Sequence, residues 1–378
     1  MEGGSKCTRG QLLHLDVCVD EQKPRGGVLE LLGRLRPQWK PQDIKMKVFT
    51  EGITNQLMGC FVGSLQESGA VLVRVYGRMT ELYVDREREV EMFQILHSHN
   101  CGPQIYCSFR NGICYEFVRG TVLDDTLLTQ PAIYRLIATE MGKIHSIKLE
   151  SDNPVENILW KKMAQFLKLV HNALSNTTAP HSSKLLQEIP SIETLSDEME
   201  TLKRHLSQIG SPTVLCHNDL LTKNIIFDNK EGMVRFIDYE YADFNYQAFD
   251  IGNHFNEFAG TSDTDYSLYP RPELQRDWLT AYLESYKHSV GLEATVTELE
   301  VQKLYVQVCK FSLASNFLWG LWAILQARYS SIDFDFERLS GLGTGLGTPV
   351  FNRNNFWRVR HPGLCCDVRQ RHKGLGPD

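Results

Sequence analysis

Apolar residues recur at strand spacing in the first third of the chain and at helical spacing through most of the rest. Val28 to Leu35 reads as a short amphipathic helix that Pro37 ends. Lys47–Thr50 and Leu57–Val62 flank a turn containing Gly52, and Ala70–Tyr76 is a continuous β-prone run, which together predict a small antiparallel sheet. Asp85 to His97 is a charged amphipathic helix with Val90, Phe93, Ile95 and Leu96 as apolar positions. Ile105–Phe109 and Ile113–Val118, with Asn111-Gly112 between them, predict a hairpin.

After Gly120 the pattern turns helical. Pro131–Ile147, Asn157–Leu174 and Ile192–Ile209 are three predicted helices, the first with Ile133, Leu136, Ile137, Met141 and Ile144 on one face. Short strands at Val214–Cys216, Asn224–Phe227 and Met233–Ile237 interrupt them, and helices resume over Asp250–Phe258, Glu273–His288 and Thr297–Tyr329. The expected class is α+β, with a small antiparallel sheet and helix over 1–118 and a larger, mainly helical lobe over 119–336. Residues 337–378 diverge from this. Ser340 to Gly347 is Gly-rich, an Arg/His-rich stretch follows, and the whole reads as loop or disorder. No strand and helix bracket the glycines as a phosphate loop would require.

Bulk composition narrows the classes. With 378 residues, 42% hydrophobic and 23% charged, the chain has an ordinary globular balance. A net charge of −6 argues against a nucleic-acid footprint. Ten cysteines are scattered without C-x-x-C spacing, so reduced thiols are expected. The N-terminus lacks the apolar core of a signal peptide, and the best apolar run, Phe317–Leu325, is too short to span a bilayer. A cytoplasmic location and no membrane span are the expectations.

The chemistry concentrates in His217-Asn218-Asp219-Leu220-Leu221-Thr222-Lys223-Asn224, followed by Asp238. This is the H-x-D-x-x-x-x-N layout with a second acid after a hairpin, by which kinase-like enzymes orient a hydroxyl nucleophile and hold magnesium. Asp219 is the candidate base, and Asn224 and Asp238 supply the hard oxygen ligands that Mg2+ takes beside ATP phosphates. His217 reads as a scaffold residue. Asp250 is either a helix N-cap or a brace that accepts N–H bonds from the catalytic loop.

The N-terminal sheet is where ATP is expected. Gly52, Thr54 and Asn55 sit in a turn between strands that suits phosphate, although the motif is neither G-x-G-x-x-G nor a Walker sequence. Arg74 is either a solvated strand residue or a phosphate ligand, and Glu89 in the next helix is its candidate partner. Glu116 to Val118 is the candidate adenine hinge. Trp319 and Trp322, three apart on one helix face, are either core or an aromatic wall for a cation, with Glu257 as its carboxylate.

The blocks Cys216–Ile226, Phe236–Tyr241 and Asn245–Phe258, with Val71–Gly77 and Phe317–Trp322, resemble the choline/ethanolamine kinase family. The resemblance runs from about Leu35 to Phe336. It implies a protein-kinase-like bilobal fold, ATP and Mg2+, and phosphorylation of a small amino alcohol. Asp219 is then the base and Asn224 and Asp238 the metal ligands. Gly52, Thr54, Asn55 and Arg74 are at the phosphates, and Glu257, Trp319, Trp322 and Tyr266 at the ammonium. Leu220-Leu221 and Thr222-Lys223 form the ethanolamine-type loop, and Phe258 stands where choline kinases tend to have Trp. The implied product is phosphoethanolamine, which feeds phosphatidylethanolamine synthesis. Choline or dual specificity is the alternative, as is a weakened, regulatory variant, because Leu339 stands in place of a pocket tyrosine and Gly-rich sequence in place of a terminal helix. The implied partners are ethanolamine and ATP, with no nucleic acid. A homodimer is an assembly to test.

Overall fold

The computed structural model describes residues 12–49, 55–77, 80–149, 155–175, 189–260 and 265–329, with side chains to 326. Gly52, Thr54 and the 337–378 tail lie outside the described residues. The chain divides into two units, Met1–Leu123 with Lys223–Ala242, and Asp124–Thr222 with Asp243–Asp378. Elements are numbered along the chain.

The first unit holds β1 (His14–Leu15), α1 (Pro24–Leu35), β2 (Lys45–Phe49), β3 (Gln56–Phe61), β4 (Val71–Val75), α2 (Arg86–Ser98), β5 (Ile105–Phe109) and β6 (Gly112–Glu116). The sheet order is β1-β5-β6-β4-β3-β2. All neighbours are antiparallel except β1 and β5, which pair in parallel. Alternation along β4 sorts its side chains. Val71, Val73 and Val75 join a core cluster with Val28, Leu31 and Leu32 of α1. Leu72 and Arg74 take the other face. There Tyr115, the register partner of Leu72, meets Phe93 of α2 edge-on at 5.2 Å between ring centres. Because helices cover both faces, all five residues of β4 are buried.

A second sheet in this unit has the order β10-β9-β7, from β7 (Thr121–Val122), β9 (Ile225–Asp228) and β10 (Met233–Phe236). Gly120 makes the approach of β7 to β9 possible. Its φ is +132°, and a Cβ there would lie 2.6 Å from the Phe227 carbonyl oxygen.

The second unit is helical, built from α3 (Asp125–Leu128), α4 (Pro131–His145), α5 (Leu159–Ser175), α6 (Ile192–Leu206), α7 (Gln247–Glu257), α8 (Pro272–Ser289) and α9 (Glu298–Tyr329). Its only described sheet pairs β8 (Thr213–Cys216) with β11 (Asp243–Tyr246). α7 packs closely on α9 because Gly252 leaves room. A Cβ there would lie 2.9 Å from the Ser312 nitrogen and 3.0 Å from the Val308 oxygen.

The long helices and strands fall within a few residues of their sequence-predicted ranges. The two-residue strands β1 and β7, the strand β11 and the one-turn helix α3 carry too little periodicity to be seen in sequence. One expectation is corrected. Glu298–Gln326 is long and apolar enough to cross a membrane by composition, since scattered charges interrupt the apolar run without offsetting it. Of its most apolar stretch, 83% is buried inside the protein, as in a core helix. The seven described cysteines are free thiols.

Candidate active site

Asp219 is presented by a loop that Asp250 ties down. The Asp250 carboxylate accepts the backbone N–H of His217 at 2.9 Å and of Asn218 at 2.7 Å, and it meets His145 Nε2 at 3.0 Å. Burial alone would raise this carboxyl, but the hydrogen bonds and charge of His145, with those of His217, hold it below the ordinary carboxylate range. The N-cap of α7 is Tyr246, so Asp250 acts as a brace rather than a cap. Asn218 takes a left-handed backbone, φ 67°, which asparagine tolerates better than most residues. Asn245 Nδ2 donates to its Oδ1 at 2.9 Å. The His217 ring is buried, and its Nδ1 accepts the Asp219 N–H at 3.3 Å. The outcome is a half-buried Asp219 side chain on a loop whose preceding backbone is fixed.

Asn224 and Asp238 belong to the first unit and flank the β9–β10 hairpin, which the Ile237 N–H closes onto the Asn224 carbonyl at 3.0 Å. Asp238 is also left-handed, φ 64°. Its side chain remains 31% exposed, and its Oδ1 accepts Arg74 Nη1 at 2.5 Å. Burial, and then Glu240, push this carboxyl up to about 6 against the pull of Arg74. Arg74 itself is fully buried, so the solvated-edge reading is excluded. Its other nitrogen pairs with Glu89, as the strand-to-helix spacing suggested.

The cluster extends beyond the residues singled out in sequence. Arg86 bonds Glu89 at 2.8 Å, Glu240 at 3.2 Å and the Thr80 hydroxyl at 2.6 Å, and lies 3.9 Å over the Tyr76 ring. Asn55 Nδ2 donates to Glu240 at 2.9 Å, while its Oδ1 accepts the Gly77 N–H at 3.3 Å. Only the three-residue offset between Arg86 and Glu89 on one helix signals Arg86 in the sequence. In the hinge segment, the N–H groups of Glu116 and Phe117 are already used, by the carbonyls of Gln104 and Ala70. Val118 lies beyond the end of β6.

In the second unit, Glu257 ends α7 and is half-buried. Burial, and then the nearby charge of Asp125, raise its carboxyl to about 8. One turn earlier, Asn253 Oδ1 accepts Trp319 Nε1–H and the Ser315 hydroxyl, both at 2.7 Å. The Trp319 and Trp322 rings meet edge-on at 5.6 Å. Tyr266 opens a short 3-10 turn and is exposed. His254 gives its Nδ1–H to the Leu220 carbonyl at 3.2 Å, and burial lowers it to about 4, so it is neutral.

A model of the family described as choline/ethanolamine kinase matches residues 46–340. The chain belongs to the choline/ethanolamine kinase family. It is 50% identical to ethanolamine kinase 1 of Mus musculus over 92% of this chain and 93% of the relative. It is 51% identical to ethanolamine kinase 2 of Homo sapiens over 92% and 84%. Among solved structures, an ethanolamine kinase of Plasmodium vivax superposes with a TM-score of 0.76 at 28% identity, covering 88% of this chain and 90% of that one. The kinase therefore has the protein-kinase-like bilobal α+β fold of its family and uses ATP.

Proposed function

We propose that this kinase transfers the γ-phosphoryl group of ATP to the hydroxyl of ethanolamine, giving phosphoethanolamine for phosphatidylethanolamine synthesis. About half of the aligned residues, over 92% of the chain, are identical in enzymes named for that substrate. The observation that carries the chemistry is the Asp250 brace, which fixes the backbone on which Asp219 stands. A carboxylate so held orients the substrate hydroxyl and takes its proton as the oxygen attacks the γ-phosphorus and the bond from that phosphorus to the bridging oxygen breaks, releasing ADP. Asp219 then releases the proton to solvent once the phosphate ester has formed.

Asn224 and Asp238 suit Mg2+, because a carboxamide oxygen and a carboxylate are the hard oxygen donors it prefers. Bound there, the metal would neutralise charge on the β- and γ-phosphates. Arg74 offers a permanent cation beside Asp238, with Glu89 holding it. Asn55 is assigned to the phosphate end and Val118 to adenine, while Glu116 shapes the strand end. Gly52 and Thr54 complete the phosphate turn as sequence expectations. Glu257, Trp319, Trp322 and Tyr266 are assigned to the ammonium. A primary ammonium donates three hydrogen bonds, and a carboxylate suits it better than an all-aromatic wall. A cytoplasmic location accompanies this reading, and cell fractionation tests it.

The deciding assay supplies ATP, Mg2+ and either ethanolamine or choline to the purified protein and measures the phosphorylated product. A higher kcat/KM for ethanolamine is expected. A higher value for choline would overturn the substrate assignment, and no product from either would overturn the enzyme assignment.

A further inference from the structure

Asn253 is completely buried, and its two kinds of polar atom are used very unequally. Its Oδ1 takes two donors at 2.7 Å, the Trp319 indole N–H and the Ser315 hydroxyl. Among the described residues, its Nδ2 has no hydrogen-bond partner. The amide cannot be turned over to relieve this, because an indole N–H only donates and must face the oxygen. Asn256, one turn back from Gly260, donates to the same Ser315 hydroxyl at 3.1 Å. A relay therefore runs from Asn256 through Ser315 to Asn253 and meets Trp319 there. A leucine or methionine would fill this volume without burying an unused N–H. The asparagine is understandable if it holds the indole in place.

The reason to hold it lies four residues on. Asn253 and Glu257 are one helical turn apart on the same face of α7. A bond from Asn253 to Trp319 thus ties the α9 indole to the helix face that carries the carboxylate. Gly252 allows the two helices the close approach this bond requires. Trp322 packs edge-on against Trp319, so its ring is set by the same contact.

We propose that Asn253 is a positioning residue for the ammonium end of the substrate, which acts by locking the Trp319 indole relative to Glu257. The inference rests on the assignment of Trp319 and Glu257 to the ammonium. The test is a double-mutant cycle of Asn253→Ala and Trp319→Phe, with ethanolamine and ATP varied separately. Asn253→Ala is expected to raise KM for ethanolamine about tenfold, the effect of one lost hydrogen bond. KM for ATP and kcat should stay within about twofold. In the Trp319→Phe background, which has no N–H to hold, the same change should add little.

An equal effect in both backgrounds would overturn the proposal. So would an Asn253→Ala protein whose KM is unchanged. Asn253→Asp keeps the acceptor but buries a carboxyl, so its fold is checked first by its unfolding transition. It should restore KM to within about threefold of wild type, and a loss as large as that of Asn253→Ala would count against the proposal. The Trp319 Nε1–H resonance reads the bond without substrate. It should move in Asn253→Ala, and an unmoved resonance sinks the inference while leaving the pocket assignment standing. Trp319→Ala with unchanged ethanolamine KM would instead remove the pocket assignment, and the inference with it.

Discussion

The cluster around Arg74 is made of full charges, whereas the one around Asn253 is made of amides, a hydroxyl and an indole. Both are buried, and both stand beside a residue assigned to a charged ligand. Arg74, Arg86, Glu89, Glu240 and Asp238 alternate in sign, so each buried ion has an opposite neighbour. Such a set is costly to desolvate but hard to distort once formed. Two guanidiniums against three carboxylates leave the set one charge negative, so a polyanionic ligand is expected there together with Mg2+. The Asn253 cluster has no formal charge, and among the described residues Glu257 has no ion pair, while burial raises its carboxyl to about 8. That suits a ligand bringing a single positive charge, since the ammonium itself supplies the missing partner. The contrast teaches that one protein can hold a rigid set of paired ions at one site and, among its described residues, leave a carboxylate without a cationic partner at another.

The largest effect expected tests the proposed base. Asp219→Asn should lower kcat by roughly 10²- to 10⁴-fold, with ATP affinity largely intact by equilibrium titration. Unchanged turnover would end the base assignment. Next, Glu89→Ala strips Arg74 and Arg86 of a shared partner. It should lower unfolding stability by about 3–5 kcal/mol in denaturant titration and weaken ATP binding. If the charged cluster were only a surface network, the loss would be under about 1 kcal/mol.

Asp250→Asn should cost about 1.5–3 kcal/mol, because one of two backbone N–H groups then faces an N–H2 rather than an oxygen. Here kcat should fall while both KM values hold. Gly252→Ala should cost about 1–3 kcal/mol by pushing α7 from α9, and it should raise KM for ethanolamine but not for ATP. The smallest effect separates the clusters by pH. Glu257 must ionise to pair with the ammonium, so KM for ethanolamine should fall as pH rises toward about 8 and then level off. Glu257→Gln should flatten that profile. In the same window, from the ordinary glutamate value up to about 8, the folded state holds the extra proton. The Glu257 contribution to stability is therefore lost as pH rises.

Much of this was legible in the chain. Helices with one apolar stripe announce themselves, and the offset from Asp219 to Asn224 is a local pattern that needs no fold. Arg74 was readable only as a choice between solvent and ligand. Its burial depends on α2 covering the second face of β4, a long-range event without a local signature. Asp250 was ambiguous for a similar reason, since its partners are backbone N–H groups more than thirty residues earlier. Arg86 and Asn253 escaped notice because a charged helix residue and an amide beside a glycine look ordinary until the packing is known.

The β9–β10 hairpin, grouped with the first unit although it lies far along the chain, has a consequence for synthesis. When Leu123 leaves the ribosome, β7 still lacks its partner β9, and the Cys101 carbonyl still lacks the Tyr239 hydroxyl that it later accepts at 2.7 Å. About a hundred further residues must be made first, which takes roughly 5–20 seconds at ordinary elongation rates. During that interval β7 has no strand to pair with, and the loop after α2 waits for its anchor. Asn224 and Asp238, the residues assigned to the metal, are thus the last pieces delivered to the first unit, so a stalled or truncated chain would hold Arg74 but not the Asp238 carboxylate that pairs with it.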